Sequence, residues 1–396
     1  MKEPIKSIVT SGTNESANDS ALSSTQNNAS TQISSALEGR TVFPTLSTEA
    51  EIHALQHGKI PAEVIYSGEA GRKLSAIDHN RMHPYSLLVN NGIINMFLQL
   101  WSDLQYKENK LRECLGKTNT WIDVGTWNGI VSNMIAFPIF NQLVAARMNR
   151  ELKMLKTKDF DNLPHHEGKP RFISCDLSKA SLWLAEDLAK YTFHDLEKLF
   201  DLEHHHETFQ QLLANDKTES PRVITMFNVL ANFSYEDLEK ILKDVFASMR
   251  PWDVFIPSFF VMQNMNNSVQ PYNIPFWYLT RELYANKETR DWCVSAFANR
   301  YKINKGDIWF NVDRKNDGRE YIDVSLSIPQ NTTLHVPTDS EKDANLKAPN
   351  STFEVFKSYR MPKEAIKKLY TSIWFQSDYL LEDREWINVA PVLYKP

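Results

Sequence analysis

Between residues 120 and 260 short apolar runs alternate with stretches of helical periodicity. Thr120-Trp-Ile-Asp-Val124, Arg171-Phe-Ile-Ser-Cys175, Val223-Ile-Thr-Met-Phe227 and Val254-Phe-Ile-Pro-Ser-Phe-Phe260 are rich in β-branched and aromatic residues and have strand length. A helix is predicted after the first through about Leu152, and residues 179–200 alternate apolar and charged positions at helical period. Ser234 stands three positions before Asp237, a capping-box spacing, and Leu238, Ile241, Leu242, Val245 and Phe246 follow as one apolar stripe. Upstream, residues 86–104 predict a strongly apolar helix carrying Leu87, Ile94, Phe97, Leu98 and Trp101. Strand alternating with helix predicts an α/β fold with a parallel sheet and right-handed crossovers.

The rhythm breaks at residues 262–361. A helical stretch (275–300), short strands (307–311 and 320–328) and a polar loop (329–350) there predict an inserted α+β domain. A helix (363–374) and an antiparallel strand pair (378–386 and 387–394) then return the chain to the sheet edge. The domain reading is thus a core of 42–261 plus 362–396, with 262–361 inserted. Residues 1–41 are rich in Ser, Thr, Asn and Ala; so few large apolar side chains cannot offset the entropy of ordering, which predicts a disordered tail. Residues 154–170 are polar and read as a loop.

Charge narrows the partners. The chain has 44 basic and 49 acidic residues, a net −5, with no basic block, which argues against nucleic acid or an anionic membrane. No apolar run approaches the roughly 20 residues of a membrane span, and no signal-peptide core follows Lys2. Three scattered cysteines (Cys114, Cys175, Cys293) make no disulfide framework and suit a reducing cytoplasm. His204, His205 and His206 are adjacent rather than at ligand spacing, and they read as a solvated polar stretch; no metal site is predicted.

Candidate chemistry gathers at predicted strand ends. Asp123-Val-Gly-Thr-Trp-Asn-Gly129 lies at a strand-to-helix junction, where open α/β sheets bind ligands and glycine admits close backbone approach. Its spacing is not the dinucleotide G-x-G-x-x-G, and an acid before the first glycine suits a cationic ligand such as the ammonium and sulfonium of S-adenosylmethionine. Asp176, just past the second strand, can take the two ribose hydroxyls of a nucleoside, or it can cap the next helix. Asn232, in Leu230-Ala-Asn-Phe-Ser234, can accept from an amine and donate to a carboxylate, or simply shape the turn. A G-x-S-x-G elbow is absent, which weakens a hydrolase reading.

The order of these motifs resembles the histidine-specific N-methyltransferase family of ergothioneine biosynthesis, from about residue 55 to the C-terminus. The segments that carry the resemblance are His57-Gly-Lys-Ile-Pro61, Tyr66-Ser-Gly-Glu-Ala-Gly71, His83-Pro-Tyr85, Asp123 to Gly129, Cys175-Asp-Leu-Ser-Lys-Ala-Ser-Leu182, Asn232-Phe-Ser234 with Glu236-Asp237, Gln270-Pro-Tyr272-Asn, and Phe353-Glu-Val-Phe-Lys-Ser-Tyr359. The resemblance implies a Rossmann-like class I methyltransferase sheet with an inserted α+β substrate-binding domain. It implies that Tyr66, Asp123, Gly125, Gly129, Asp176 and, by the loosest match, Glu207 hold S-adenosylmethionine, and that Tyr85, Asn232, Tyr272 and Glu354 hold an amino-acid substrate. The chain departs from the family pattern where Trp127 stands for a loop glycine and where Phe356 replaces the serine that helps recognise imidazole. Loss of that hydroxyl and gain of a ring disfavour histidine itself.

These readings together predict transfer of a methyl group to the nitrogen of a small amino acid or amino-acid-like amine, without metal, nucleic acid or membrane. Tyr85 and Asn232 would orient the amine, Tyr272 the carboxylate, and Glu354 and Phe356 would line the side-chain pocket. The rival expectations are an inactive cofactor-binding regulator or effector, and a methyltransferase acting on a protein or peptide.

Overall fold

A computed structural model of the chain describes residues 47–66, 70–71, 73, 91–106, 110–126, 129, 131–157, 169–193, 199–227, 229–261, 268–269, 274–275, 281–316, 320–338, 343–383 and 388–395. The tail (1–41) and the candidate residues Tyr85 and Tyr272 lie outside them.

In chain order the elements are α1 (Thr48–Gln56), α2 (Ala62–Tyr66), α3 (Asn91–Tyr106), α4 (Lys110–Lys117), β1 (Thr120–Val124), α5 (Phe137–Thr157), β2 (Arg171–Cys175), α6 (Lys179–Phe193), β3 (Asp201–His205), α7 (Phe209–Asn215), β4 (Arg222–Met226), α8 (Tyr235–Ser248), β5 (Val254–Pro257) and β6 (Phe259–Phe260). There follow β7 (Ser268–Val269), β8 (Ile274–Pro275), α9 (Lys287–Tyr301), β9 (Trp309–Asn316), β10 (Glu320–Ser327), β11 (Thr333–Val336), β12 (Ala344–Lys347), β13 (Thr352–Arg360), α10 (Lys363–Ser372), β14 (Gln376–Glu382) and β15 (Asn388–Tyr394).

The main sheet runs β14-β15-β5-β4-β1-β2-β3, with β6 extending β5 along β15. Strands β1 to β5 are parallel, whereas β15 is antiparallel both to β5 and to β14. Successive strand residues face opposite layers. Trp121, Phe172, Val223 and Val254 pack with α3 and α5 through Phe97, Phe137 and Phe140. Ile122, Ile173, Ile224 and Phe255 pack with α8 and α10 through Leu242, Val245, Ile366 and Leu369. The antiparallel edge pair is as expected from the sequence.

A second antiparallel sheet, β9-β10-β13, shares the first of these cores through Ile322, Val324, Leu326 and Phe353. The N-terminal helices sit on this side as well. Trp292 Nε1 of α9 donates to the Ile65 carbonyl at 2.9 Å, and Arg300 forks onto the buried Glu51 at 2.6 and 2.9 Å. The segment behind α1 is stitched to β13 by Glu354 N–H to the Gly58 carbonyl (2.7 Å) and Ile60 N–H to the Glu354 carbonyl (2.9 Å).

Three local expectations are corrected. Helix α5 reaches Thr157, so residues 154–157, read as loop, are helical. Residues 329–350 are not all loop: β11 and β12 pair antiparallel, with Leu334 and Val336 turned inward. His204 and His205 belong to half-buried β3, where Arg171, Glu203 and Glu207 supply polar partners that let a charged sequence form an edge strand.

Candidate functional site

The carboxyl ends of β1, β2, β3 and β4 converge on the loop that follows β1. Gly125 has φ +69°, and an added Cβ would lie 2.2 Å from Val229 Cγ2, so this turn after β1 is compatible with glycine alone. Gly129 has φ +77°, and its missing Cβ leaves room for Ala185 of α6, whose Cα would be 2.7 Å away. The Gly125 N–H donates to the Cys175 carbonyl at 2.8 Å. The loop is thereby held between the ends of β2 and β4. Sequential strands leave β1 in opposite directions at this point, the switch point at which open α/β sheets bind ligands.

Asp123 supports the loop from beneath. Its carboxylate is 3% exposed and accepts hydrogen bonds from Thr225 Oγ1 (2.6 Å) and from Ser132 Oγ. Ser132 opens the π-helical turn Ser132–Ala136 that leads into α5. Thr225 in turn accepts from Trp121 Nε1 at 3.1 Å. Burial pushes the Asp123 carboxyl up to about 6, against the opposing pull of the hydroxyls of Ser132, Thr225 and Thr126.

Asp176 follows β2 and is half-buried. Its Oδ1 accepts the Ser178 N–H at 2.7 Å, while Ser178 Oγ accepts from Ser181 N at 3.2 Å. Ser178, rather than Asp176, therefore caps α6. Glu207 stands one strand over: Cys175 Sγ donates to its carbonyl at 3.3 Å, and its Oε1 is 2.9 Å from His205 Nδ1. The other ring nitrogen of His205 is 3.0 Å from Glu203 Oε2. Burial pulls the imidazole pKa down, but the hydrogen bonds to Glu203 and Glu207 outweigh it and hold His205 above its ordinary value.

Tyr66 comes to this edge from α2. A Cβ on Gly71 would lie 2.6 Å from the Tyr66 carbonyl and 3.3 Å from Ser178 Oγ, which places Gly71 between the end of α2 and the turn after β2. Burial raises the Tyr66 phenol above its ordinary value, helped by Cys293, Tyr284 and the charge of Asp176. The Tyr66 ring centroid lies 5.7 Å from that of Trp292; Trp292 stacks on Phe356 at 6.0 Å, and Phe356 meets Tyr284 edge-on at 5.4 Å. These rings make one aromatic wall, whose Tyr66 end feels the charge of Asp176.

Phe356 and Glu354 flank a bulge in β13, where Val324 pairs with Phe356 and Ser325 with Glu354. The extra residue, Val355, is itself buried and resets the alternation: Phe353 is buried before it, Ser358 and Arg360 after it. Glu354 and Lys357 thus share a face, and their charges pair at 2.7 Å. Asn232 is exposed on the 3-10 turn Leu230–Asn232, which lies against β13 and β6.

The structure therefore brings Asp123, Gly125, Gly129, Asp176, Glu207 and Tyr66 to one edge, sets Phe356 next to Tyr66 through Trp292, and puts the turn of Asn232 alongside β13. Trp292 escapes a reading of the sequence because α9 is buried from Trp292 to Ala298 and shows no stripe, and Tyr284 lies ahead of that helix. Thr225 was legible only as a lone hydroxyl within an apolar strand.

The sheet decides the fold class. Five parallel strands in the order 3-2-1-4-5, continued by an antiparallel pair whose last strand inserts beside β5, make a Rossmann-like α/β sheet. No protein-family model and no curated protein matches the chain. The resemblance to the histidine-specific family therefore finds no support in these comparisons. Solved structures similar to the chain include an S-adenosylmethionine-dependent methyltransferase from Clostridium acetobutylicum ATCC 824, at 12% identity and TM-score 0.33, covering 75% of this chain and 91% of that one. They also include the glycopeptide N-methyltransferase MtfA, at 7% identity and TM-score 0.36, with 78% and 98% covered. A third is DesVI of Streptomyces venezuelae, at 11% and 0.32, with 79% and 97% covered. At these scores no residue role passes from them to this chain. Among the described residues there is no group of metal-ligating side chains and no helix long and apolar enough to cross a membrane.

Proposed function

We propose that the chain is an S-adenosylmethionine-dependent N-methyltransferase whose acceptor is a small amino acid or amino-acid-like amine other than histidine. The observation that carries this reading is the glycine loop at the switch point, with Asp176 at the next strand end and Tyr66 folded against it. A nucleoside fits that edge: Asp176 would accept from the ribose hydroxyls, Glu207 would lie toward the base, and the loop backbone would approach the methionine portion. Asp123, its oxygens engaged by two hydroxyls, would act on the cofactor through the loop it supports.

Bound S-adenosylmethionine would supply an electrophilic methyl group, the amine lone pair forming the N–C bond as the S–C bond breaks with its electron pair left on sulfur, and the nitrogen would then lose a proton. The leaving group is already good, so the protein's work is alignment and exclusion of water. Asn232 would orient the amine, with Tyr85 and Tyr272 as the resemblance implies. Phe356, backed by Trp292, would offer an apolar or aromatic side chain a ring to pack on. Incubation of the purified chain with methyl-labelled S-adenosylmethionine and a panel of amino acids and amines tests this reading. Labelled N-methyl product lost in Asn232→Ala supports it, and product formation unchanged by that substitution would remove Asn232 from the mechanism.

A further inference from the structure

Arg360 closes β13 and is 4% exposed. Its Nη1 donates to the Ser358 carbonyl (2.7 Å), to Ser358 Oγ (2.8 Å) and to the Tyr359 carbonyl (3.3 Å). The guanidinium carbon lies 4.8 Å from the ring centroid of Phe260. The other two nitrogens, Nε and Nη2, are both buried and have no hydrogen-bond partner. Glu320, the register partner of Arg360 on β10, pairs with Arg314 at 3.4 Å. Among the described residues, then, this permanently charged group has no carboxylate partner, an arrangement proteins rarely tolerate without a ligand.

The pattern of satisfied and orphaned donors is informative. Nη1 is consumed by the local chain, whereas Nε and Nη2 form one edge of the planar fork, the edge that grips a carboxylate with two parallel bonds. Arg360 also stands where β13 runs into the main sheet: the Met361 N–H donates to the Phe260 carbonyl at 3.0 Å, at the carboxyl end of β5 and β6. The turn of Asn232 lies against both β6 and β13. A second orphan lies on the strand paired with β6. Asn388, the register partner of Phe260, is fully buried; its Nδ2 donates to Asp383 at 2.8 Å, and its Oδ1 has no partner.

We infer that Arg360 is the receptor for a carboxylate on the acceptor substrate, so that the enzyme takes acids of the amino-acid type in preference to the simple amines derived from them. The inference rests on the methyl-transfer reading for the word acceptor, but the carboxylate site stands on its own geometry.

The test is a calorimetric titration of the full chain, with and without S-adenosylhomocysteine, using matched pairs suited to the aromatic wall: L-tryptophan and tryptamine, L-phenylalanine and phenethylamine, L-tyrosine and tyramine. In the wild-type protein at least one acid should bind about 10- to 100-fold more tightly than its amine. In Arg360→Met that preference should collapse towards unity while the affinity for S-adenosylhomocysteine stays within about threefold. If Arg360→Met does not fold, Arg360→Lys, which keeps the charge but loses the fork, should lose most of the preference. Equal affinity for acid and amine in the wild type, no binding of any acid, or a preference that survives in the variants would overturn the inference. Failure of S-adenosylhomocysteine to bind would instead strike the methyl-transfer reading, and the acid-amine comparison would still decide on Arg360.

Discussion

Thr225 Oγ1 donates to Asp123 Oδ1 at 2.6 Å, joining the ends of two adjacent central strands directly beneath the glycine loop. The same hydroxyl accepts from Trp121 Nε1, so one small side chain orders both the buried carboxylate and the indole below it. With Ser132 on the other carboxylate oxygen, Asp123 ties β1 to β4 and to the turn that opens α5.

Thr225→Val keeps the shape and removes the hydroxyl. It leaves a buried carboxylate short of a donor and an indole N–H without an acceptor, and should cost about 1–3 kcal/mol. The Thr225 bond lowers an Asp123 pKa that burial has raised to about 6. Its loss therefore matters more when Asp123 is ionised, above about pH 6, than when it is protonated. Urea denaturation near pH 5 and pH 7.5 measures the difference; equal losses at both would contradict this account of the pair.

Gly125→Ala should be far more damaging than an ordinary surface substitution. A left-handed alanine costs about 1–2 kcal/mol, and its Cβ would collide with Val229 Cγ2. Thermal unfolding should fall and cofactor affinity should drop at least about tenfold. Adding Val229→Ala should recover part of the stability, because it removes the collision but not the backbone cost. A double variant no more stable than the single would show that the contact is not the cause.

His205 links the site to pH. Its folded pKa lies above the ordinary value of 6.5 because Glu203 and Glu207 favour the charged ring. A raised basic group stabilises the fold fully below the unfolded value and loses that contribution as pH rises through the folded one. The stability difference between wild type and His205→Gln should accordingly be larger near pH 5.5 than near pH 8.5. A difference independent of pH would mean that the His205 ring is not charged between the two glutamates.

Phe356→Ser restores a hydroxyl where the resembled family has one and opens the wall formed with Trp292 and Tyr284. Loss of a half-buried ring and its two aromatic contacts should cost about 1–3 kcal/mol of stability. Methyl transfer to aromatic acceptors should weaken relative to acceptors bearing polar rings. Competition assays with paired substrates read this directly, and an unchanged ratio would place Phe356 outside the pocket.

The sequence showed β1, β2, β4 and β5 because their residues are buried on both faces and read as continuous apolar runs. It concealed β3, Asp201-Leu-Glu-His-His205, whose charges look like a loop until Arg171 and Glu203 are seen paired at 2.6 Å across adjacent strands. Gly125 and Asp176 were legible because strand-end chemistry is local. Trp292 and Arg360 were not: one depends on which helix packs over the site, the other on hydrogen bonds that form, or fail to form, only in the folded chain. The ion pair of Glu354 with Lys357 depends on a bulge that no periodicity reveals.

The most direct test of the central claim is calorimetric titration of the purified chain with S-adenosylmethionine and, separately, with S-adenosylhomocysteine. Binding at about micromolar Kd, weakened at least about tenfold in Asp176→Ala, is the predicted result. A chain that is folded by circular dichroism yet gives no heat with either compound at millimolar concentration would contradict it.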